Sequence, residues 1–202
     1  MEIKVLVADD QALVRGALAT LLGLEDDITV VAKVGSGAEV PAVARATQPD
    51  VALLDVQMPG KDGIEVAAEL RAAVPGCRVL MCTTFGRPGY LTRALAAGAA
   101  GFVVKDCPPE QLIDAVRRVH SGLRVVDPAL ATESVTIGVS PLTDREREVL
   151  QAARDGSTVN AVAAQLHLSA GTVRNYLSSA MGKLEAATRA EAARLADERG
   201  WL

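Results

Sequence analysis

Aromatic side chains are nearly missing from this chain. Two Phe, two Tyr and one Trp are spread over 202 residues, so any core must be built from Val, Leu, Ile and Ala. Cysteine is scarce as well. Cys77, Cys82 and Cys107 are an odd number with no CxxC spacing, which excludes a disulfide framework and speaks against a metal or redox role. Cys82 lies inside an apolar run and reads as a small core residue. The two histidines, His120 and His167, are isolated and read as structural or surface residues. The start of the chain, MEIKVL, lacks the basic-then-apolar pattern of a leader. The longest uncharged apolar stretch, Ala94 to Val104, is too short to span a bilayer. A soluble cytoplasmic protein is the expectation. Positive charge is not in excess either: the net charge is −4, which does not suggest non-specific nucleic-acid binding by the whole chain.

What is present is a globular composition, half apolar and 23% charged, in a length that suits one large or two small domains. Up to about residue 121, short apolar runs alternate with amphipathic segments. The runs near 3–8, 28–34, 51–55, 78–83 and 101–104 read as buried strands. The segments near 11–23, 38–46, 64–73, 90–97 and 109–121 read as helices, with Leu13, Val14, Ala17, Leu18, Leu21 and Leu22 on a 3.6-residue period. Five β/α repeats predict a doubly wound, five-stranded parallel sheet with helices on both faces. Residues 122–141, punctuated by Gly122, Pro128, Gly138 and Pro141, read as a linker with a short helical turn near 128–133.

From Leu142 onward the pattern is helical only. Thr143 and Glu146 form a capping box, and Gly156 ends that helix. Thr158, Ser169 and Thr188 can cap three more helices. His167-Leu168-Ser169 joins the second to the third at helix-turn-helix length. Leu142, Val149, Leu150, Val162, Leu166, Leu168, Val173, Leu177 and Leu184 are the expected core of this all-α half, with Met181 packed against it and Tyr176 either packed there or laid on a nucleic-acid phosphate.

Chemistry gathers at the strand ends of the first half. Asp9 and Asp10 follow the first run, Asp55 the third, Thr83 the fourth and Lys105 the fifth. Ligands of open α/β sheets bind outside the carboxyl ends of the strands. Three carboxylates there suit a hard divalent cation such as Mg²⁺. Asp55 is placed to act as a nucleophile toward an activated phosphoryl donor, with Lys105 to stabilise the charge on its oxygens and Thr83 to donate a hydrogen bond. Any one of these residues alone would read as a loop or capping residue; four strand ends carrying matched chemistry make a site.

With those residues in place, residues 1–121 resemble the receiver domain of two-component response regulators, a flavodoxin-like fold. The matching pieces are Asp9-Asp10, LLDVQMPGKDG around Asp55, CTTF at Thr83 and GFVVKD at Lys105. The resemblance implies Asp55 as the phospho-acceptor, modified by a sensor histidine kinase or a small acyl phosphate. It implies Mg²⁺ on Asp10 and Asp55 with the Gln57 backbone carbonyl, and Asp9 acting directly or through water. Phe102 matches an aromatic whose rotamer couples to Thr83. Many receivers carry Pro after the Lys; here Asp106 follows.

Residues 142–202 resemble the tetrahelical DNA-binding domain of the NarL/FixJ (LuxR-type) family, through LTDREREVL, VAAQLHLSAGTVRNYLSSAMGKLEA and TRAEAA. TTFGRPGYL and the terminal ERGW look most like the DesR branch. By this resemblance Thr172, Arg174, Asn175, Ser178 and Lys183 face promoter DNA. Arg and Asn suit guanine and adenine edges. The segment from Pro141 onward holds eight basic and eight acidic residues, but none of the acidic ones lies between Gly156 and Leu184. The expected function is a phosphorylation-activated transcriptional regulator that dimerises before binding DNA, through helices 11–23 and 109–121 with Leu13, Gly16, Ala17 and Ile113, or through the competing face of the fourth helix with the fifth strand. The rival readings are a phospho-switched interaction module without DNA binding and an aspartyl phosphohydrolase. Against the latter, Val56-Gln57 follows Asp55 where such an enzyme would carry a DxD pattern.

Overall fold

The structure is a computed structural model that describes residues 2–84, 86–128, 130–132 and 140–202. Phe85 and residues 133–139, which include part of the expected linker and helical turn, lie outside the described residues. The chain divides into two compact units, Met1–Gly86 with Tyr90–Glu133 and Arg87–Gly89 with Ser134–Leu202. Among the described residues no helix is long and apolar enough to cross a membrane.

In the first unit, strands β1 (Ile3–Ala8), β2 (Ile28–Val34), β3 (Val51–Leu54), β4 (Arg78–Thr83) and β5 (Gly101–Val104) alternate with helices α1 (Ala12–Leu22), α2 (Val40–Thr47), α3 (Gly63–Ala73), α4 (Pro88–Ala97) and α5 (Pro109–His120). The sheet is parallel throughout, in the order β2-β1-β3-β4-β5-β6. Successive side chains on a strand point to opposite faces, so each buried strand feeds two cores. Leu6, Ala52, Met81 and Phe102 pack with α2, α3 and α4. Val5, Leu53, Leu80, Cys82 and Val103 pack with α1 and α5 on the other face. These runs lack hydrophobic–polar alternation because both of their faces are covered.

The sheet carries one strand more than the five expected. β6 (Val125–Val126) pairs with Gly101 and Phe102 of β5, inside the stretch that reads as linker. The chain turns back at Gly122, whose φ of +94° is a conformation that favours glycine. Val125 then packs on one core and Val126 on the other. Two apolar residues are too short a run to announce a strand. Residues 128 and 130–132 are helical, as far as that turn is described.

The second unit is all helical: α6 (Asp144–Ala152), α7 (Val159–Leu166), α8 (Ala170–Lys183) and α9 (Arg189–Glu198). Each starts where a side chain accepts an amide of its first turn: Thr143 with the reciprocal Glu146 bond, Thr158, Ser169 and Thr188. The α7–α8 turn closes through His167 at φ +55°. Val149, Leu150, Val162, Val173, Leu177 and Leu184 are buried together, with Leu142, Leu166, Leu168, Tyr176 and Met181 against them. Ala180, Ala192, Ala193, Ala196 and Trp201 complete that core.

Candidate functional site

The carboxyl ends of β1, β3, β4 and β5 carry Asp9, Asp55, Thr83 and Lys105. Hydrogen bonds between neighbouring ends set their level: the Asp55 amide donates to Ala8 O (2.9 Å) and the Lys105 amide to Thr83 O (2.8 Å). Asp9 and Asp55 are buried, at 1% and 5% exposure, and Thr83 is buried too, while Asp10 is exposed. One ligand oxygen from each of Asp9, Asp10 and Asp55 lies within 4.8 Å of the others. Lys105 Nζ sits 2.7 Å from Asp9 Oδ2 and 3.0 Å from Asp55 Oδ2. Residues far apart in sequence thus share one anionic cup, bridged by a single ammonium.

Backbone amides position two of the carboxylates. Asp9 Oδ1 accepts from the Gln11 amide at 2.9 Å, and Asp55 Oδ1 accepts from the Val56 amide at 2.8 Å. Asp9 Oδ2 and Lys105 Nζ are both buried and face each other as an ion pair. The unused lone pairs of Asp9 Oδ2, with the adjacent carboxylates, are a donor set that fits a hard cation. Burial pushes the Asp55 carboxyl above its ordinary range; Lys105 pulls the other way, and the Asp9 charge adds to the upward push. Burial acts to lower Lys105, but its contacts with Asp9 and Asp55 outweigh it and hold the ammonium above its ordinary value.

Close packing fixes the loop after Asp55. Gly63, the first residue of α3, donates its amide to Val56 O at 2.9 Å, and a Cβ built there would stand 1.9 Å from Asp55 O. Only glycine allows that approach. Asp62 caps α3 in a reciprocal box with Glu65. Gln57 is exposed, and its side-chain amide donates to Tyr90 Oη at 3.3 Å. Phe102 is fully buried among the residues of α2, α3 and α4.

One contributor was not legible in sequence. Arg15, in α1, donates from Nη1 to the carbonyls of both Asp9 and Asp10. It straps the acidic turn in place of a side-chain cap, which Gln11 does not supply. An arginine one turn into a helix carries no signal that separates this role from a solvated one.

On α8, Arg174, Asn175 and Ser178 are exposed, and Thr172 is half-buried with its amide bonded to Ser169 Oγ. Lys183, also on α8, meets a carboxylate of the same unit. Its Nζ lies 2.7 Å from Oε2 of the buried Glu146, whose Oε1 accepts from Ser179 Oγ. Burial would raise the Glu146 carboxyl, but bonds from Lys183, Ser179 and Thr143 overcome it and bring the group down to about 2. Lys183 therefore ties α8 to the capping box of α6. Ahead of α7, Arg189 Nη1 holds Ser157 O at 2.8 Å.

The thiols lie in the cores or at their edge. Burial pushes Cys77 and Cys82 up to about 12 and Cys107 upward, which keeps them protonated and unreactive.

Comparison with known proteins matches both units. Residues 5–117 match the model of the response regulator receiver domain, and residues 140–196 match that of bacterial regulatory proteins of the luxR family. The chain is 44% identical over 200 residues to the transcriptional regulatory protein DesR of Bacillus subtilis, covering 99% of each chain. It is 37% identical to the DNA-binding transcriptional activator DevR/DosR of Mycobacterium tuberculosis, covering 97% of this chain and 94% of that one. The crystal structure of the response regulator ChrA, of a heme-sensing two-component system, superposes with a TM-score of 0.59 at 34% identity, over 100% of this chain and 99% of that chain.

Proposed function

This chain belongs to the response regulators that join a receiver domain to a luxR-family DNA-binding domain, and from that premise we propose that phosphoryl transfer to Asp55 controls its hold on promoter DNA. It is a transcriptional regulator and not an enzyme. The observation that carries the reading is the placement of Lys105 Nζ between Asp9 and Asp55, with Asp10 completing the acidic cluster.

An Asp55 carboxylate oxygen attacks the phosphorus of a kinase phosphohistidine or an acyl phosphate. The new O–P bond forms as the donor's N–P or O–P bond breaks, and the electron pair leaves with imidazole or carboxylate. Mg²⁺, held by Asp9, Asp10, Asp55 and the Gln57 carbonyl, would neutralise charge between two anions that otherwise repel. Lys105 gives up part of its contact with Asp9 to pair with the phosphoryl oxygens, and the Thr83 hydroxyl donates to one of them. The modified side chain carries roughly −1.5 to −2 charge by analogy with other phosphorylated residues. Phe102, fully buried beside that strand end, transmits the shift.

The response is dimerisation, and α1 supplies the face. Only Leu22 of α1 is buried; Leu13 is 87% exposed and Ala17 is exposed. Gly16 has nothing within 4 Å of where a Cβ would stand. Ile113 does not join this face as expected, because it packs into the core beneath α5. Two linked α8 helices then reach half-sites about one DNA turn apart, and the second contact gains from effective concentration. Promoter binding puts the protein's work in the cytoplasm, where a sensor histidine kinase supplies the phosphoryl group.

The test is Asp55→Ala with acetyl phosphate as donor, followed by light scattering and promoter-fragment mobility. The parent chain should double in mass and bind DNA more tightly on treatment, and the variant should do neither. A variant that still dimerised in response to donor would overturn the reading.

A further inference from the structure

At the end of the sheet opposite Asp55, three arginines surround one cleft. Arg71 lies in the last turn of α3, Arg78 opens β4, and Arg124 precedes β6. The cleft holds about 490 Å³, within the range of small-ligand pockets. No Asp or Glu is among the residues that line it. Three other guanidinium groups of this unit find carboxylates: Arg93 pairs with Asp62, Arg117 with Glu25 and Asp27, and Arg118 with Asp114, while Arg15 holds backbone carbonyls. Among the described residues the side chains of Arg71, Arg78 and Arg124 have no ion pair or hydrogen bond. Asp50, whose carbonyl accepts the Arg78 amide, turns its Oδ2 to the Lys4 amide instead.

Two of the three lie against glycines. At Gly98 (φ +101°) a Cβ would stand 3.0 Å from Arg71 Cδ, and at Gly122 (φ +94°) it would stand 3.2 Å from Arg78 Nη2. A side chain at either glycine would crowd the arginine beside it, so the two glycines leave these guanidinium groups their space at the cleft. Arginine near a helix C-terminus also meets the negative end of the helix dipole. That accounts for Arg71, but not for Arg78 at a strand start or Arg124 in the connection to β6.

The geometry points to a binding site for a small polyphosphate in this cleft. Guanidinium charge persists at any working pH, and its planar fork matches phosphate oxygens two at a time. Adjacent phosphoryl groups engage neighbouring arginines, which a single carboxylate ligand would not do. Arg78 and Thr83 are the two ends of β4, roughly 17 Å apart at about 3.3 Å per residue. The ligand therefore does not compete with chemistry at Asp55. The chemistry is shared by inorganic tripolyphosphate and a nucleoside triphosphate.

Calorimetric titration of the full chain, with chelator present to keep divalent cations from the aspartates, tests the assignment. Tripolyphosphate and adenosine triphosphate are titrated separately. One saturable site is expected. Arg78→Gln should weaken it roughly tenfold, and Arg71→Gln/Arg78→Gln should abolish measurable binding. Lys33→Gln/Arg45→Gln, an equal loss of charge elsewhere on the unit, should leave affinity unchanged. Arg124→Gln alone repeats the test outside the helix and strand, and thermal melting checks that each variant is folded. Equal affinity for both ligands assigns recognition to the phosphates; tighter binding of the nucleotide adds a contact to its base or sugar. No saturable heat into the millimolar range, equal weakening in the control pair, or unchanged affinity in the arginine variants overturns the proposal.

Discussion

Gly63 and Lys105 govern the acidic cup in opposite ways, one by having no side chain and the other by the charge it carries. Gly63→Ala would drive a methyl group into Asp55 O, 1.9 Å away. The loop must move, at a cost of about 1–3 kcal/mol for overpacking. A lower melting temperature and slower labelling by acetyl phosphate are expected together. Lys105→Gln removes the one cation between two buried carboxylates. Labelling should fall at least roughly tenfold, the loss of one charge-assisted contact, whereas Mg²⁺ affinity should rise because the cup becomes more negative. A magnesium titration showing weaker binding in Lys105→Gln would contradict the role given to that ammonium. The acidic residues of this cup were legible because each ends an apolar run. Arg15 was not, because its partners are backbone carbonyls, which leave no trace in residue type.

Among the elements, α6 and α8 depend on one carboxylate. Glu146 closes the α6 cap and receives both Ser179 and Lys183 of α8. Its carboxyl is lowered from the ordinary 4.5 to about 2. A lowered carboxyl stabilises the folded state above its unfolded value and loses that contribution as protons bind. The helical unit should therefore weaken between about pH 4.5 and about pH 2, and Glu146→Gln should flatten that limb of the stability profile, as read by circular dichroism. The same contacts separate two basic residues of one helix. Arg174→Ala should cost about 1–3 kcal/mol in binding to a specific site with little change in melting. Lys183→Gln should instead lower the melting temperature of the helical unit by several degrees, with about 4–8 °C corresponding to 1 kcal/mol at this size. Caps at Thr143, Thr158, Ser169 and Thr188 could be read from sequence because their spacing is local. The inward turn of Lys183 could not, because Glu146 is 37 positions away.

For the molecule as a whole, the dimer face proposed on α1 allows assembly to be tested apart from phosphorylation. Leu13→Arg should leave labelling of Asp55 intact yet hold the labelled protein as a monomer with weak DNA binding, as measured by light scattering. Dimerisation of that variant on labelling would move the face elsewhere. The doubly wound plan was legible because five strand runs and five helical periods alternate. β6 and the arginine-lined cleft were not, since both arise where segments distant in the chain meet at a sheet end or edge. The scarcity of large aromatics has a practical side. The single indole, Trp201, is buried in the helical core with the Arg199 guanidinium 4.9 Å from its ring centre. Ultraviolet emission selected for tryptophan will report melting of the DNA-binding half only, leaving the receiver dark. Two-step denaturation would thus be seen as one step by fluorescence and as two by a backbone probe.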